Sequence, residues 1–339
     1  MTATSPSPAT GPVVWRTADI GPETIHALTP TQAQQILDLA RGFEAGEAEF
    51  PSIPFRHSLA SLAPLMARVR HELLQGRGIA LLRGVPVDAM SERQCALAFW
   101  GIGSFLGQGV SQSSSGDLIG FVRDRGDGKR ENRGYQSRAA LRFHVDLADL
   151  VGLLCVRRGM SGGESLAASS LTIYNEMLEL HPEYLDALAA GFHWSRNGEE
   201  GPGEAAYSAV VPVFTQAGGM VSCRFNASMM QRGMASAGQQ LTRLQEEALD
   251  FVEATARRRD ICHATYMEPG DIQFLNNYTT LHSRTEFENW PDPARDRLML
   301  RLWLLSDGVR DFGGLETAMR DAPLIYGRQG RTPEQLATL

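Results

Sequence analysis

From residue 118 onward the chain consists mainly of short apolar runs separated by turns, and this pattern limits the possible folds. Runs of this length bounded by turn residues are typical of β-strands. Strands are predicted at 118–122, 141–146, 150–157, 210–214, 221–225, 263–267, 272–276, 280–287 and 297–305. Two helical blocks, 171–190 and 239–258, interrupt them. Because strands and helices do not alternate regularly, a parallel nucleotide-binding fold is disfavoured and an antiparallel core is favoured.

The N-terminal third carries helical signals instead. Thr29–Gln32 and Ser91–Gln94 are capping boxes, each followed by apolar residues at helical spacing. A further amphipathic helix is predicted over 59–75 and a strand over 79–82. We therefore predict an α+β protein with a mainly β core, a double-stranded β-helix (jelly roll) decorated by helices. The predicted organisation is a disordered tail (1–15), a single domain with a helical N-terminal portion (16–312) and a C-terminal extension (313–339).

Charge and composition exclude several classes of function. The net charge is -7 and the basic clusters are short, which argues against nucleic acid as a partner. Of the 32 lysines and arginines only Lys129 is a lysine, and it lies in a polar run, so Schiff-base chemistry is disfavoured. The four cysteines lack the spacing of a disulfide scaffold or zinc site and are expected to be small buried side chains. No targeting or membrane-spanning segment is recognised, so we expect a cytoplasmic protein without a membrane partner.

Three residues could form a metal site. His144 and Asp146 stand two positions apart in a predicted strand, so their side chains project from the same face. His282 lies in another predicted strand. Two histidines and one carboxylate on a β scaffold form the facial triad of non-haem Fe(II) oxygenases, whereas a structural zinc site would need four ligands, usually including cysteine. A lone His-x-Asp is a weak signal, and the second histidine strengthens it.

The last predicted strand carries two arginines on one face. Arg297 and Arg301 are separated by an even number of residues in a strand that is otherwise apolar. A buried guanidinium is unfavourable unless it is paired with an anion. Two interpretations stay open at this point. The arginines bind an anionic ligand, or they form ion pairs with local acids such as Glu286 and Asp296.

The motifs occur in the order expected of one enzyme family. Over about residues 78 to 305 the chain resembles the Fe(II)/2-oxoglutarate-dependent oxygenases of the taurine dioxygenase and clavaminate synthase-like (TauD/TfdA) family. The resemblance rests on the strand Ile79–Gly84, on His144-Val145-Asp146, on the turn Gly162–Ser165, on Glu268–Asp271, on the strand with His282 and on Arg297–Arg301.

This resemblance implies a role for each matched residue. The two histidines and the aspartate would bind Fe(II), and Arg297 would form a bidentate pair with the distal carboxylate of 2-oxoglutarate. Ser165 aligns with a threonine whose hydroxyl contacts the same carboxylate in relatives. Arg301 matches an arginine that holds an anionic group of the substrate in some relatives and supports the cosubstrate in others.

The resemblance also implies a reaction. O2 and 2-oxoglutarate would be consumed, succinate and CO2 released, and an unactivated C–H bond of a small polar metabolite, such as an amino acid or organic acid, hydroxylated. Halogenation is disfavoured because related halogenases have a small residue in place of the metal-binding carboxylate, whereas this chain has Asp146. Desaturation or cyclisation on the same fold, and a non-catalytic barrel that binds a small acid, stay as alternatives. Ala140 stands where taurine dioxygenase has a substrate-contacting asparagine, which disfavours taurine as substrate.

Two segments carry open interpretations. Residues 123–133, rich in glycine and charge, are either a lid over the site or a solvated surface loop. Residues 313–339 are either a surface helix or a contact in a homo-oligomer.

Overall fold

The computed structural model describes residues 6–45, 59–113, 116–124, 137–314 and 319–320. Its strands are β1 Ile25–Ala27, β2 Ile79–Arg83, β3 Gln108–Val110, β4 Ile119–Val122, β5 Leu150–Arg157, β6 Ser161–Gly162, β7 Ser165–Ser169, β8 Phe214–Ala217, β9 Met220–Cys223, β10 His263–Thr265, β11 Ile272–Asn276, β12 Thr280–Arg284, β13 Phe287–Glu288 and β14 Leu298–Leu305. Its α-helices are α1 Pro30–Ala45, α2 Ala63–Leu74, α3 Glu92–Gly103, α4 Ser170–Leu180, α5 Pro182–Ala189, α6 Ala227–Ser236 and α7 Arg243–Ala256.

Two sheets form the centre of this mixed α/β fold. The larger sheet has seven strands in the order β1-β2-β11-β5-β14-β3, and β4 also pairs with β14. Its strand pairs are antiparallel except for β1 and β2. The smaller sheet has the order β10-β7-β12 and is antiparallel throughout. A hydrogen bond from Ser165 in β7 to Gln273 in β11 links the two sheets.

Helices of the N-terminal part cover the outer face of the larger sheet. Helix α3 begins with a capping box, in which Ser91 and Gln94 exchange hydrogen bonds, as the sequence predicts. Its last residue, Gly103, lies against β14 so closely that a Cβ there would come within 2.3 Å of Leu302. Phe99 in the same helix packs against Phe274 of β11, with ring centroids 6.4 Å apart. The apolar face of α3 therefore fixes the position of β11 and β14, the strands that flank β5.

The predicted hairpin around residues 216–219 is present. Strands β8 and β9 pair in antiparallel register and are joined at Gly218 and Gly219. Both glycines have positive φ, 55° and 76°, which is the backbone conformation that a two-residue hairpin turn requires.

Other elements differ from the sequence-based expectation. The helix predicted over 171–190 is two helices, because Pro182 lacks an N–H and starts the new helix α5. Helix α6 and strand β7 do not appear in the sequence-based prediction. For β7 the reason is that its residues are mostly small and lack a clear apolar alternation. The strand predicted over 141–146 is reduced to a single β-bridge at His144.

Residues 6–15 of the predicted tail contact the body of the protein, while residues 1–5 lie outside the described part. Ala9 and Asn175 of α4 exchange two hydrogen bonds, of 2.8 and 2.9 Å. Trp15 is 1% exposed and its indole N–H donates to the carbonyl of Arg77. Serine and proline content alone could not reveal these two anchors, which hold the segment against the body of the protein.

All four cysteines are free thiols; Cys95, Cys155 and Cys223 are buried as expected, whereas Cys262 is half-buried. Among the described residues, no helix combines the length and the hydrophobicity needed to cross a membrane.

Candidate metal centre

The backbone brings the two predicted histidine ligands side by side. His144 and His282 face each other across an antiparallel bridge, with N···O distances of 2.9 and 2.8 Å in the two directions. Residues directly opposite in such a pair project their side chains to the same face. The imidazole centroids are therefore only 4.3 Å apart. Asp146 follows two residues later, and one ligand atom from each of the three residues lies within 4.8 Å of the others.

The geometry of these side chains fits a divalent cation. The Nδ1 of His144 lies 2.9 Å from the carbonyl oxygen of Arg142, which can only accept, so Nδ1 carries the proton and Nε2 presents its lone pair. The Nε2 of His282 is 3.7 Å from Oδ2 of Asp146, too far for a hydrogen bond. Two ligands that each lie about 2.1 Å from a metal ion are at most about 4.2 Å apart, which this pair satisfies, whereas the 4.8 Å spread of all three ligand atoms requires a small inward movement on binding. The buried Oδ2 of Asp146 has no hydrogen-bond partner in the described part of the chain, as expected of a carboxylate oxygen that binds a metal ion.

Electrostatics keep two of the three groups in their ligating state. Burial alone would raise the pKa of Asp146, but Arg301, His282 and His144 outweigh it, so this pKa is lowered and the carboxyl group is ionised at neutral pH. Burial, helped by His144, lowers the pKa of His282 to about 3, so its imidazole is neutral. Metal ligands must be deprotonated, and here the protein holds both groups in that form without the ion.

Arg301 contacts the candidate metal ligands directly. Its Nη1 lies 3.2 Å from Oδ1 of Asp146, and its Nε donates to Oε1 of Gln112 at 2.8 Å. Gln112 in turn donates to the backbone carbonyl of Arg301, so the glutamine fixes both ends of this residue. The ion pair predicted as the alternative for Arg301 exists, but its partner is Asp146 rather than a local acid.

Arg297 is a buried cation without an anion. It is 6% exposed and forms no ion pair with an acidic residue among those described. Its Nη1 has no hydrogen-bond partner there either. Burial lowers the pKa of Arg297 to about 10, so the guanidinium is still charged at neutral pH. It lines a small cavity together with Gly163, Cys155 and Met299, and the Phe287 ring lies 4.9 Å away. An unpaired buried guanidinium beside a cavity is suited to bind a carboxylate.

Ser165 lies between the two sheets. It is the first residue of β7 and pairs in register with Arg284 of β12. Its hydroxyl is 2.5 Å from Oε1 of Gln273. The structure therefore places this candidate in the interior, on the same pair of sheets as the metal centre.

Sequence reasoning missed a third buried arginine at this site. Arg284 follows His282 by two positions in β12, so the alternation of a strand could have indicated that both face the interior. It is 6% exposed, its Nη1 lacks a partner among the described residues, and its guanidinium is 4.8 Å from the Phe287 ring that also contacts Arg297. Burial and the neighbouring Arg297 lower the pKa of Arg284 to about 10. Its Nη2 donates to the carbonyls of Ser137 and Ala139, in the segment that leads to His144.

The proposed lid over 123–133 cannot be located, because residues 125–133 lie outside the described part of the chain.

Comparisons with known proteins point to one enzyme family. The profile of the family described as "Taurine catabolism dioxygenase TauD, TfdA family" matches residues 32–303. The FR-33289 synthase of Streptomyces rubellomurinus is 31% identical over 319 residues, which cover 90% of this chain and 92% of that protein. Among solved structures, an asparagine oxygenase in complex with Fe(II), 2S,3S-3-hydroxyasparagine and succinate superimposes with a TM-score of 0.65 at 20% identity, covering 83% of this chain and 93% of the other. The non-haem iron oxygenase OrfP in complex with Fe and α-ketoglutaric acid gives a TM-score of 0.60 at 17% identity, with coverage of 84% and 94%.

Proposed function

The chain belongs to the TauD/TfdA family of dioxygenases, and from this premise we propose that it hydroxylates a C–H bond of a small polar metabolite, using Fe(II), 2-oxoglutarate and O2. The observation that carries the proposal is the His-Asp-His cluster with its unpartnered buried carboxylate oxygen, together with the unpaired buried Arg297 immediately before β14, four residues before the arginine that contacts Asp146. We assign the two main sheets of the fold to a double-stranded β-helix core.

In this proposal, His144, Asp146 and His282 would hold the metal, and three protein ligands would leave room for the cosubstrate and O2. Bound Fe(II) supplies the oxidative chemistry, in which one oxygen atom of O2 enters the substrate C–H bond and the other enters 2-oxoglutarate as it becomes succinate and CO2. Arg301 keeps the carboxylate of Asp146 oriented through their ion pair, and Gln112 keeps Arg301 in place.

Arg297 and Ser165 are the proposed residues for the cosubstrate. The guanidinium of Arg297 has free donors and a charge to offer to the distal carboxylate of 2-oxoglutarate. Ser165 provides a buried hydroxyl on the facing sheet, and its present acceptor Gln273 is an uncharged side chain that a carboxylate can replace.

An amino acid or a related organic acid is the substrate class we propose. One structural neighbour was crystallised with hydroxylated asparagine, and OrfP was crystallised with L-arginine. Because these structures share the fold at low identity, they support the class of substrate and leave its side chain open.

The test is turnover by the purified protein. With Fe(II), ascorbate and 2-oxoglutarate it should release succinate, and a panel of amino acids and small carboxylic acids should identify the compound that accelerates this release and gains one oxygen atom. His144→Ala and His282→Ala should abolish succinate release, whereas His71→Ala, on the exposed side of α2, should not. Unchanged release in the two ligand variants would refute the proposed centre, and 2-oxoglutarate binding without any succinate would favour a non-catalytic barrel.

A second test addresses the cosubstrate. Arg297→Ala should raise the Kd for 2-oxoglutarate by about two to four orders of magnitude, because a charged partner of a buried pair is typically worth about 3–5 kcal/mol. Arg297→Lys should restore only part of the affinity, since lysine keeps the charge and loses the planar fork. Calorimetric titration of the Mn(II) protein with 2-oxoglutarate gives both values. If Arg297→Ala instead weakened Mn(II) binding alone, Arg297 would not belong to the cosubstrate site.

A further inference from the structure

The backbone of Asp146 is held on both sides by buried side chains. Its N–H donates to Oδ1 of Asn277 at 3.1 Å, and its carbonyl oxygen accepts from Nη1 of Arg224 at 2.9 Å. Both of these side chains are completely buried. The carboxylate that faces His282 therefore sits on a backbone whose two polar groups are both fixed by side chains from elsewhere in the chain.

Arg224 is the centre of this support. Besides the carbonyl of Asp146, its guanidinium donates to the carbonyl of Ala148 at 3.3 Å, to the carbonyl of Met319 at 2.7 Å and to the hydroxyl of Tyr278 at 2.8 Å. It also lies over the Tyr278 ring, 4.3 Å from the centroid. Four acceptors in different directions suit the planar fork of arginine and cannot all be reached by a lysine ammonium.

The support continues to a buried acid. The hydroxyl of Tyr278 donates a hydrogen bond to Oδ1 of Asp149 at 2.8 Å, and Oδ2 of Asp149 accepts from the backbone N–H of Ser306 at 2.8 Å. Asp149 is 0% exposed, so its charge needs a counter-ion. That counter-ion is Arg320, whose Nη2 lies 2.5 Å from Oδ2.

Besides Ser306, two further residues of this network lie beyond the part of the chain that matches the family profile. Met319 supplies the carbonyl that accepts from Arg224, and Arg320 supplies the cation for Asp149. The family profile ends at residue 303. Met319 is 0% exposed, and Arg320 is partly exposed. We call this pair of residues the C-terminal clasp.

We propose that Arg224 is a positioning residue for the metal-binding carboxylate and that the C-terminal clasp completes its support, so that metal affinity depends on residues near the end of the chain. The inference rests on the ligand assignment made above. Arg224 sets the position of Asp146 through the carbonyl bond, Tyr278 couples Arg224 to Asp149, and the clasp neutralises Asp149 and occupies the remaining donor of Arg224. Outer partners of metal ligands typically change metal affinity by about 10- to 100-fold when they are removed.

The test measures metal binding by the apoprotein. Arg320→Met should raise the Kd for Mn(II) by about tenfold or more, and Arg224→Lys should do the same, while the Kd for 2-oxoglutarate at saturating Mn(II) stays near that of the wild type. Arg320 is partly exposed, so its variant should fold even where Arg224→Lys does not. The double variant Asp149→Asn/Arg320→Met should recover part of the Mn(II) affinity, because it removes the buried charge left without a counter-ion.

A matched control separates positioning from general loss of stability. Arg310 is also a largely buried arginine after β14, and it donates to the carbonyl of Val221 at 2.8 Å without contacting the metal-binding loop. Arg310→Met should lower the thermal midpoint and leave the Kd for Mn(II) unchanged. An equal rise in Kd for Arg310→Met and Arg320→Met would overturn the inference, as would wild-type Mn(II) affinity in both Arg320→Met and Arg224→Lys.

Variants of the metal-binding histidines separate failure of the proposed metal centre from failure of the inference about Arg224 and the C-terminal clasp. If His144→Ala and His282→Ala bind Mn(II) as tightly as the wild type, the ligand assignment itself fails. If these two lose Mn(II) while the Arg224 and Arg320 variants keep it, only the inference about the clasp fails.

Discussion

The imidazole of His282 is buried and neutral. Because the folded protein binds no proton there at a pH where the unfolded chain does, the free energy of unfolding of the apoprotein depends on pH. Its pKa is about 3 in the folded chain, against 6.5 for an ordinary histidine. Between these two values the unfolded chain binds a proton that the folded chain does not, so stability falls as the pH falls below about 6.5. The loss between pH 7 and pH 5 should be about 2 kcal/mol from this residue.

Urea unfolding of the apoprotein in the presence of a chelator, at pH 7 and pH 5, checks this. His282→Asn should lose less stability over this interval than the wild type, by about 2 kcal/mol. His71→Asn, an exposed histidine in α2, should behave like the wild type. The same loss in His282→Asn and in the wild type would show that the imidazole is not held neutral.

At the scale of single residues, the candidate ligands could be predicted and their surroundings could not. His144 and Asp146 share a face because strand side chains alternate, and this local rule holds although the predicted strand shrinks to one bridge. The partner of Arg301 is 155 positions away in sequence, and no local rule indicates such a contact. Arg284 shares the inward face of β12 with His282 by the same alternation. It was not predicted as a site residue, because an arginine two residues after a histidine matches no known metal-binding or anion-binding motif.

Among the elements, the turn before β7 controls the site most directly. Gly162 and Gly163 both have positive φ, 67° and 79°. A Cβ on Gly163 would lie 3.0 Å from Nε of Arg297, so a larger residue there must push the guanidinium. Both glycines thus allow the left-handed backbone, and Gly163 also leaves room for the arginine that we assign to the cosubstrate.

Gly163→Ala should therefore raise the Kd for 2-oxoglutarate several-fold and lower the free energy of unfolding by about 1–2 kcal/mol. Gly219→Ala is the matched control, since Gly219 has a similar φ of 76° and open space where its Cβ would stand. It should show the backbone cost without any change in 2-oxoglutarate binding. If the two variants bound 2-oxoglutarate equally well, the turn would not position Arg297.

The ends of helices and strands could be predicted where specific side chains mark them. The capping boxes before α1 and α3 were identified because specific side chains satisfy the free N–H groups of a helix start. Pro182 suits the first turn of a helix, and it begins α5 within the predicted helical block 171–190, across which the apolar spacing continues. Strand β7 could not be predicted, since its small residues are selected by close packing between β10 and β12, which is a tertiary constraint.

For the whole molecule, the site joins parts that are distant in the chain, so filling it should stabilise the fold as a unit. The ligand candidates come from the loop before β5 and from β12, and the arginines come from β14 and its start. A ligand present at about 100 times its Kd adds about 2.7 kcal/mol to the stability of a folded protein. Under anaerobic conditions, Mn(II) followed by 2-oxoglutarate should each raise the thermal midpoint by several degrees.

Calorimetric scans of two variants serve as controls for this stabilisation. Arg297→Ala should keep the shift caused by Mn(II) and lose the shift caused by 2-oxoglutarate, whereas His282→Ala should lose both. Full shifts in His282→Ala would contradict the assignment of the metal centre.

The sequence by itself determined the class of the protein, its antiparallel strands, and the residues that could bind a metal and an anion. It could do so because alternation, capping and charge are local properties that a short stretch of chain displays. The tertiary structure decided which groups meet: that His144 pairs with His282, that Arg301 contacts Asp146, and that Arg224 and the C-terminal clasp support the same carboxylate. These contacts depend on the packing of two sheets and of distant loops, which removes these polar groups from water and brings them within reach of partners from elsewhere in the chain.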